Sequence, residues 1–220
     1  MDLLGSEILK LPGVAIRDYG PGERLGGDTT ERLKKLYVYV RDGAIGLRVA
    51  AGRSLSALVD VFGPGQLLPP QLWETKPGLE SRYATALVAT TTLELPAAVF
   101  EGRVAAHPPL ALAAWDACQP AASLDRLAML ALRDPLRRVA HTLLLLLERL
   151  SGAPGPAPST HLEVGQELIA GFASLSRQTT NRQLRRLARA GVAGLRRRAV
   201  DVPDLAALRS VAAGRRPLGR

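Results

Sequence analysis

The 220-residue chain has a single cysteine, Cys118, three histidines and few aromatic residues, 4% of the total. One cysteine excludes a disulfide within the chain and cannot furnish the ligands of a cysteine-bound zinc or iron–sulfur centre. Such usage suits a reducing compartment, and a cytoplasmic location is expected. The most apolar stretch, Leu143 to Leu147, falls far short of the roughly 20 residues that a membrane span needs. No basic segment leads into a long apolar run at the N-terminus, so neither export nor a membrane partner is expected. His107, His141 and His161 are scattered and lie outside the strand-like region. A barrel enzyme built on clustered His and carboxylate metal ligands is therefore excluded, and no catalytic residue, metal or cofactor is expected.

The chain does have a large apolar fraction, 47%, which can supply a core without staples. It also has a net charge of +9, unevenly placed. Residues 1–108 hold twelve basic and twelve acidic side chains, and residues 109–133 two of each. The last 87 residues hold fifteen arginines against six acids, so the whole excess sits there. A neutral front and a basic end divide the labour, with the basic end meeting a polyanion.

Between Tyr19 and Leu95 short strand-like runs alternate with turn signals. Tyr37–Val40 and Ile45–Val49 flank Asp42-Gly43, a pair suited to the positive φ of a tight hairpin turn. Leu55–Phe62 is closed by Gly63-Pro64-Gly65, and Tyr83–Leu95 reads as one or two further strands. Closely spaced short strands without long helices between them predict an antiparallel barrel or sandwich. After Pro108-Pro109 the composition turns to helix formers through Leu132, with a break or kink expected at Pro120 because proline removes a backbone donor. Asp134-Pro135 then places an N-cap before a proline suited to a first helical turn. Leu136, Val139, Ala140, Leu143, Leu144 and Leu147 follow as one buried helical face. The Gly- and Pro-rich segment 151–159 reads as a loop.

Two helices with a short turn are predicted between Val164 and Arg189, the anatomy of a helix-turn-helix. The first carries Leu168, Ile169 and Phe172 and breaks near Ser174; the second begins with Ser176 as N-cap. On a helical wheel Thr180, Leu184, Leu187 and Ala188 form a packing arc, while Gln178, Arg182, Arg185 and Arg189 form a polar, cationic one. Arginine can grip guanine O6 and N7 with two hydrogen bonds, and glutamine can do the same for adenine, so this arc suits the major groove of double-stranded DNA. From Arg177 to Arg198 there are eight arginines and no acid. Ala193–Val202 is predicted to form a small hairpin, or wing, whose Arg196, Arg197 and Arg198 lie near the phosphate backbone.

Taken in order, several of these stretches resemble the family of the cyclic-AMP receptor protein and its oxygen-sensing relatives, the CRP/FNR transcription regulators. The matching pieces are Tyr19-Gly-Pro-Gly-Glu23, Leu36-Tyr-Val-Tyr-Val-Arg-Asp-Gly43 and Phe62-Gly-Pro-Gly-Gln66. They continue with Ser81–Ala89 leading to Leu93-Glu-Leu-Pro96, Ser176-Arg-Gln-Thr-Thr-Asn-Arg182 and Asp201–Leu208. The resemblance implies an α+β fold: a cyclic-nucleotide-binding-like antiparallel β-barrel (jelly roll) over 1–108, a long dimerisation helix over 109–133 and a winged helix-turn-helix over 134–220. It implies a homodimer on a palindromic promoter site, with RNA polymerase as a further partner, and no enzyme activity.

In this family the helix-start pattern Ser-Arg-Glu-Thr-Val-x-Arg reads bases through the first Arg, the Glu and the last Arg. By resemblance those roles fall to Arg177, Gln178 and Arg182. Ser176 and Thr179 fall at phosphate by the same resemblance, and Arg185 and Arg189 of the cationic arc and Arg196, Arg197 and Arg198 of the wing are expected at phosphate as well. Gln178 departs from the family's glutamate and predicts an altered half-site, because glutamine pairs with adenine where glutamate accepts from cytosine. Thr180 stands at an otherwise apolar position. The nucleotide-binding members' Gly-Glu-Leu is here Leu68-Pro69-Pro70-Gln71-Leu72, so the ribose carboxylate is missing and dependence on cyclic AMP is not expected. Arg82 is the one effector-site candidate, the effector itself being unknown. Leu124, Leu127 and Leu130 or Ala131 are spaced to face a second subunit. The alternative from another class is a winged-helix protein that acts through protein–protein contacts without reading DNA.

Overall fold

The computed structural model describes residues 3–27, 30–51, 55–74, 82–118, 121–150 and 160–216. The predicted loop 151–159 and Pro120 lie outside the described residues. The chain divides into two compact units, Met1–Gln119 and Pro120–Arg220.

The first unit opens with helix α1 (Leu3–Ile8) and strand β1 (Ala15–Tyr19), and continues with β2 (Leu36–Asp42), β3 (Ile45–Ala51), β4 (Leu55–Phe62) and β5 (Leu67–Leu68). β6 (Arg82–Ala86), β7 (Thr90–Pro96) and helices α2 (Ala97–Ala106) and α3 (Pro108–Cys118) complete it. The described strands form a four-stranded sheet in the order β1-β7-β2-β5 and a three-stranded sheet in the order β4-β3-β6. Every pairing is antiparallel. Val38 and Val40 from the first sheet meet Ile45, Leu47, Ala84 and Ala86 from the second in one core with Leu25, Leu33, Leu68 and Trp73. Tyr39, Leu93 and Leu95 instead pack with Leu4 and Ile8 of α1, Phe100 of α2 and Leu110 of α3. The alternation follows from the two-residue period of a strand, and each fully buried aliphatic side chain stabilises by about 1.5–3 kcal/mol.

The expected hairpin at Asp42-Gly43 is not there. β2 pairs with β5 and β7, whereas β3 pairs with β4 and β6, so the chain changes sheets at this turn. The turn chemistry is nonetheless as expected, for Gly43 has φ +86°. A Cβ at Gly43 would lie 2.4 Å from the Ala89 carbonyl oxygen, and the hydroxyl of Thr90 bridges the Ala44 N–H and carbonyl at 3.1 Å each. Packing between the two sheets prevails over the local tendency to fold back. The second departure is α2, a ten-residue helix within what reads as the barrel region.

The helix-forming stretch after Pro108 is two elements, α3 in the first unit and α4 (Ala121–Ala131) in the second. Leu112 and Trp115 stand on one side of α3, 72% and 70% exposed, and Leu127 on α4 is 62% exposed. Leu130 is half-buried and Ala131 exposed. Cys118 is partly buried, and burial pushes its thiol up to about 11, so it is held as a neutral thiol.

In the second unit α5 (Pro135–Leu150) is the central helix, and Asp134 Oδ1 accepts from the Leu136 N–H at 2.9 Å. Leu136, Val139, Ala140, Leu143 and Leu147 are buried as expected; Thr142, Leu145, Leu146 and Arg149 are buried as well, because α5 is enclosed on several sides. Around it lie β8 (His161–Leu162), α6 (Gln166–Ala173), α7 (Arg177–Arg189), β9 (Gly194–Arg196), β10 (Ala199–Asp201) and α8 (Leu205–Ala212). The three strands form a sheet in the order β8-β10-β9. The Asp204 carboxylate caps α8 by accepting from the Ala207 N–H at 2.8 Å.

Candidate nucleic-acid interface

α6 and α7 are joined by a tight turn whose geometry is set by Ser174. Its φ of +51° makes it the one left-handed residue other than glycine among the described residues, and Leu175 N–H donates to the Ala170 carbonyl at 3.0 Å. Ser176 then starts α7: its Oγ accepts from the Thr179 N–H at 3.1 Å and donates to Thr179 Oγ1 at 2.9 Å. Ser176 and Thr179, both expected at phosphate, are thus fixed by each other at the helix start, where unpaired N–H groups and the helix dipole favour an anion.

Thr180, Leu184 and Leu187 are buried and Ala188 is half-buried, so the packing arc lies where the wheel places it. Gln183 is buried too, only 4% exposed, and accepts a hydrogen bond from Arg186 Nη1 at 2.9 Å. Arg177, Gln178, Arg182, Arg185 and Arg189 all reach the surface. Gln178, Arg182, Arg185 and Arg189 line one open cleft together with Asn181 and Arg186. Asn181 and Arg186 escaped the sequence reading, although Asn181 stands one turn from Arg177 and Gln178 and could have been found on the same wheel. Thr180 Oγ1 is buried without a partner, the strain expected of a hydroxyl at an apolar position.

The wing is a hairpin of β9 and β10, with Arg197-Arg198 at its tip. Its three arginines are not equivalent. Arg197 and Arg198 are exposed at the turn, but Arg196 Nε donates to Asp201 Oδ2 at 2.6 Å on the opposite strand. His161 Nδ1 lies 2.5 Å from Asp201 Oδ1, so one carboxylate ties all three strands together. The His161 hydrogen bond, and after it the Arg196 charge, hold the Asp201 carboxyl below the usual carboxylate range.

Much of the remaining basic charge is turned inward, onto the carbonyl ends of helices. Arg138 donates from Nε to the Leu132 carbonyl at 3.1 Å, and Arg137 from Nε to the Ala212 carbonyl of α8 at 3.0 Å. Arg126 reaches the Phe172 carbonyl of α6. Cations at helix C-termini are stabilising, because the carbonyls there lack intrahelical partners. Arg82 belongs to the first unit, where its Nη1 donates to the Leu72 carbonyl at 3.5 Å. Among the described residues no His, Cys, Asp and Glu side chains are grouped to hold a metal, and no helix is long and apolar enough to cross a membrane.

Residues 137–211 match the family described as the Crp-like helix-turn-helix domain. No curated protein matches the chain. Among solved structures it is similar to FixK2 from Bradyrhizobium japonicum, with 18% identity, a TM-score of 0.70 and coverage of 90% of this chain and 96% of that one. It is likewise similar to TTHB099, described as a transcriptional regulator of the CRP family from Thermus thermophilus, with 18% identity, a TM-score of 0.66 and the same coverages, 90% and 96%. A CooA mutant from Carboxydothermus hydrogenoformans aligns with 19% identity and a TM-score of 0.67, covering 90% of this chain and 88% of that one. Residues 137–211 therefore carry a Crp-like helix-turn-helix domain, and over nine-tenths of its length the chain has the fold of these structures.

Proposed function

We propose that the protein is a homodimer that reads a palindromic promoter site through Arg177, Gln178 and Arg182 of α7, without requiring cyclic AMP. The observation that carries this reading is the outer face of α7. Long hydrogen-bonding side chains line it, no acid interrupts it, and its opposite face is locked into the core by Leu184 and Leu187. A bidentate Arg–guanine or Gln–adenine pair contributes roughly 1–3 kcal/mol of discrimination against the wrong base. Ser176, Thr179, Arg185, Arg189, Arg197 and Arg198 take phosphates and set the register. Arg196 acts through the shape of the wing.

Dimerisation is supported by the exposed Leu112 and Trp115 of α3 and by Leu127 of α4, large apolar side chains that a second copy would cover. A two-fold protein matches a two-fold operator and doubles the DNA surface that one winged helix can bury. Independence from cyclic AMP is supported by the Leu68–Leu72 sequence, which offers no carboxylate for a ribose, and by Trp73, whose indole is fully buried in the core between the sheets. RNA polymerase is the further partner that such a regulator would engage at a promoter. The test is selection of bound duplexes from random DNA by the purified chain and by Arg177→Ala. A two-fold palindrome that the variant fails to enrich is expected, and unenriched DNA from the folded protein would reject the reading in favour of a protein-binding winged helix.

A further inference from the structure

The strand register turns polar side chains toward the inside of the first unit at one edge of the sandwich. Glu94 is paired across β2 with Val38, which belongs to the core between the sheets, and it is only 1% exposed. A carboxylate so placed requires partners. Arg32 supplies a two-pronged one, Nη1 to Oε2 at 2.6 Å and Nη2 to Oε1 at 3.0 Å, and Tyr19 donates its hydroxyl to Oε1 at 2.6 Å. Arg17 Nε stands 3.7 Å from Oε2, an ion pair beyond hydrogen-bond range.

An open groove of about 570 Å³ lies beside this cluster, lined by the exposed Arg17, Arg24 and Arg32 with Tyr19, Asp18 and Glu23 among others. Its size is that of a small-molecule site. Arg24 lies with its guanidinium 4.0 Å from the ring centre of Tyr83, which orients it. Neither the Arg17 nor the Arg24 guanidinium donates a hydrogen bond among the described residues, and each has five N–H groups in a planar fork. Two acids share the lining: Asp18 accepts from the Thr91 hydroxyl at 2.7 Å, and Glu23 from the Gly20 N–H at 2.9 Å. Arg32 and Arg17 therefore face one interior carboxylate, and Arg17 and Arg24 bring to the same groove N–H donors that no described group accepts.

We propose that this groove is an anion pocket that takes a compact dianion, a small phosphate or dicarboxylate, gripped by Arg17 and Arg24 and backed by Arg32. A planar acid or a tetrahedral phosphate presents several acceptor oxygens to these donors, the geometry that guanidinium forks match. Anion binding stands on this geometry alone; its role as the effector site of a regulator rests on the proposed function.

The experiment is titration calorimetry on the full chain with inorganic phosphate and with malonate, at constant ionic strength. The proteins compared are the parent, Arg17→Ala, Arg24→Ala and the exposed Arg41→Ala as control. A saturable one-site heat is expected with at least one of the two anions, weakened about tenfold or more in Arg17→Ala and Arg24→Ala and unchanged in Arg41→Ala. No heat from either anion, or equal affinity in Arg17→Ala and Arg24→Ala, overturns the pocket. Operator affinity is then measured with and without the bound anion. A change establishes the effector role, and no change removes that role while leaving the pocket. Loss of operator binding in every condition would reject the proposed function without touching the calorimetric result.

Discussion

Arg126 of α4 donates from Nη2 to the carbonyl of Phe172 at 3.3 Å, while its guanidinium lies 4.9 Å from the centre of the Phe172 ring. One arginine thus holds both the carbonyl end of the first helix of the helix-turn-helix and the aromatic side chain that anchors it. Replacing Arg126 with Ala removes a charged hydrogen bond and a cation–π contact, and a loss of about 2 kcal/mol in stability is expected. Chemical denaturation followed by the helical signal measures it. Equal stability of Arg126→Ala and the parent would show that the contact is incidental.

On the proposed reading, Gln178 sets the base preference at one step of the half-site. Gln178→Glu should move that step from adenine toward cytosine, with a change of roughly 1–3 kcal/mol between the two sites. Competition between duplexes differing at that pair reads it directly, and an unchanged preference would place Gln178 away from the bases.

The wing's tip and its strand should differ in salt dependence. On the proposed interface Arg197 and Arg198 face phosphate, so in Arg197→Ala or Arg198→Ala the slope of log affinity against log salt should fall by about 1. Arg196→Ala should leave the slope nearly unchanged and weaken the wing itself, since Arg196 is bound to Asp201. Identical slopes in all three variants would refute this division.

Acid should destabilise the second unit in two steps. Burial lowers the pKa of His141, so the folded form resists protonation and stability falls as pH drops through the ordinary value of 6.5, where the unfolded chain takes up the proton. The Asp201 carboxyl is lowered by its His161 and Arg196 partners; its contribution is whole above 3.8 and is lost as pH falls through the lower folded value. Unfolding midpoints against pH for the parent, His141→Gln and Asp201→Asn separate the steps. Persistence of the upper step in His141→Gln would assign it to another group.

Thr180 offers a gain. Its buried hydroxyl has no partner, and valine keeps the shape without the polar atom, so Thr180→Val should stabilise by about 1 kcal/mol. A lower melting temperature in this variant would mean that the hydroxyl is satisfied in solution.

The helix-turn-helix was the most legible part of the sequence because its signals are local. Ser176 as N-cap, the break at Ser174 and the split of α7 into a packed arc and a cationic arc all follow from neighbours within a turn or two. Strand positions are equally plain at β3 and β4, and Tyr83–Leu95, which reads as one or two strands, is two, β6 and β7. Partners were another matter. Nothing within reach of Asp42-Gly43 says that its flanking strands belong to different sheets, and nothing near Arg126 points to a carbonyl 46 residues away. The basic excess was read as a face for DNA, yet Arg137, Arg138 and Arg196 are bound within the protein. Charge counts cannot separate these from the arginines without a protein partner, because the distinction depends on which helix ends and carboxylates the fold brings alongside. Nothing local to Glu94 marks it as buried, since its burial is set by the register of β2 against β7.

The change of sheets at Gly43 also bears on how the first unit assembles. β3 and β4 are neighbours in sequence and pair along seven positions, so the three-stranded sheet contains a local hairpin. The four-stranded sheet has none: β7 must come back to β1 and β2 from far along the chain, and β5 joins β2 only after β3 and β4 have been traversed. Closing long loops is slow because the chain entropy must be given up before the contacts form. Amide protection in a refolding experiment should accordingly arise first across β3 and β4 and last in β1, leaving β7 for a time as an unpaired edge open to other chains.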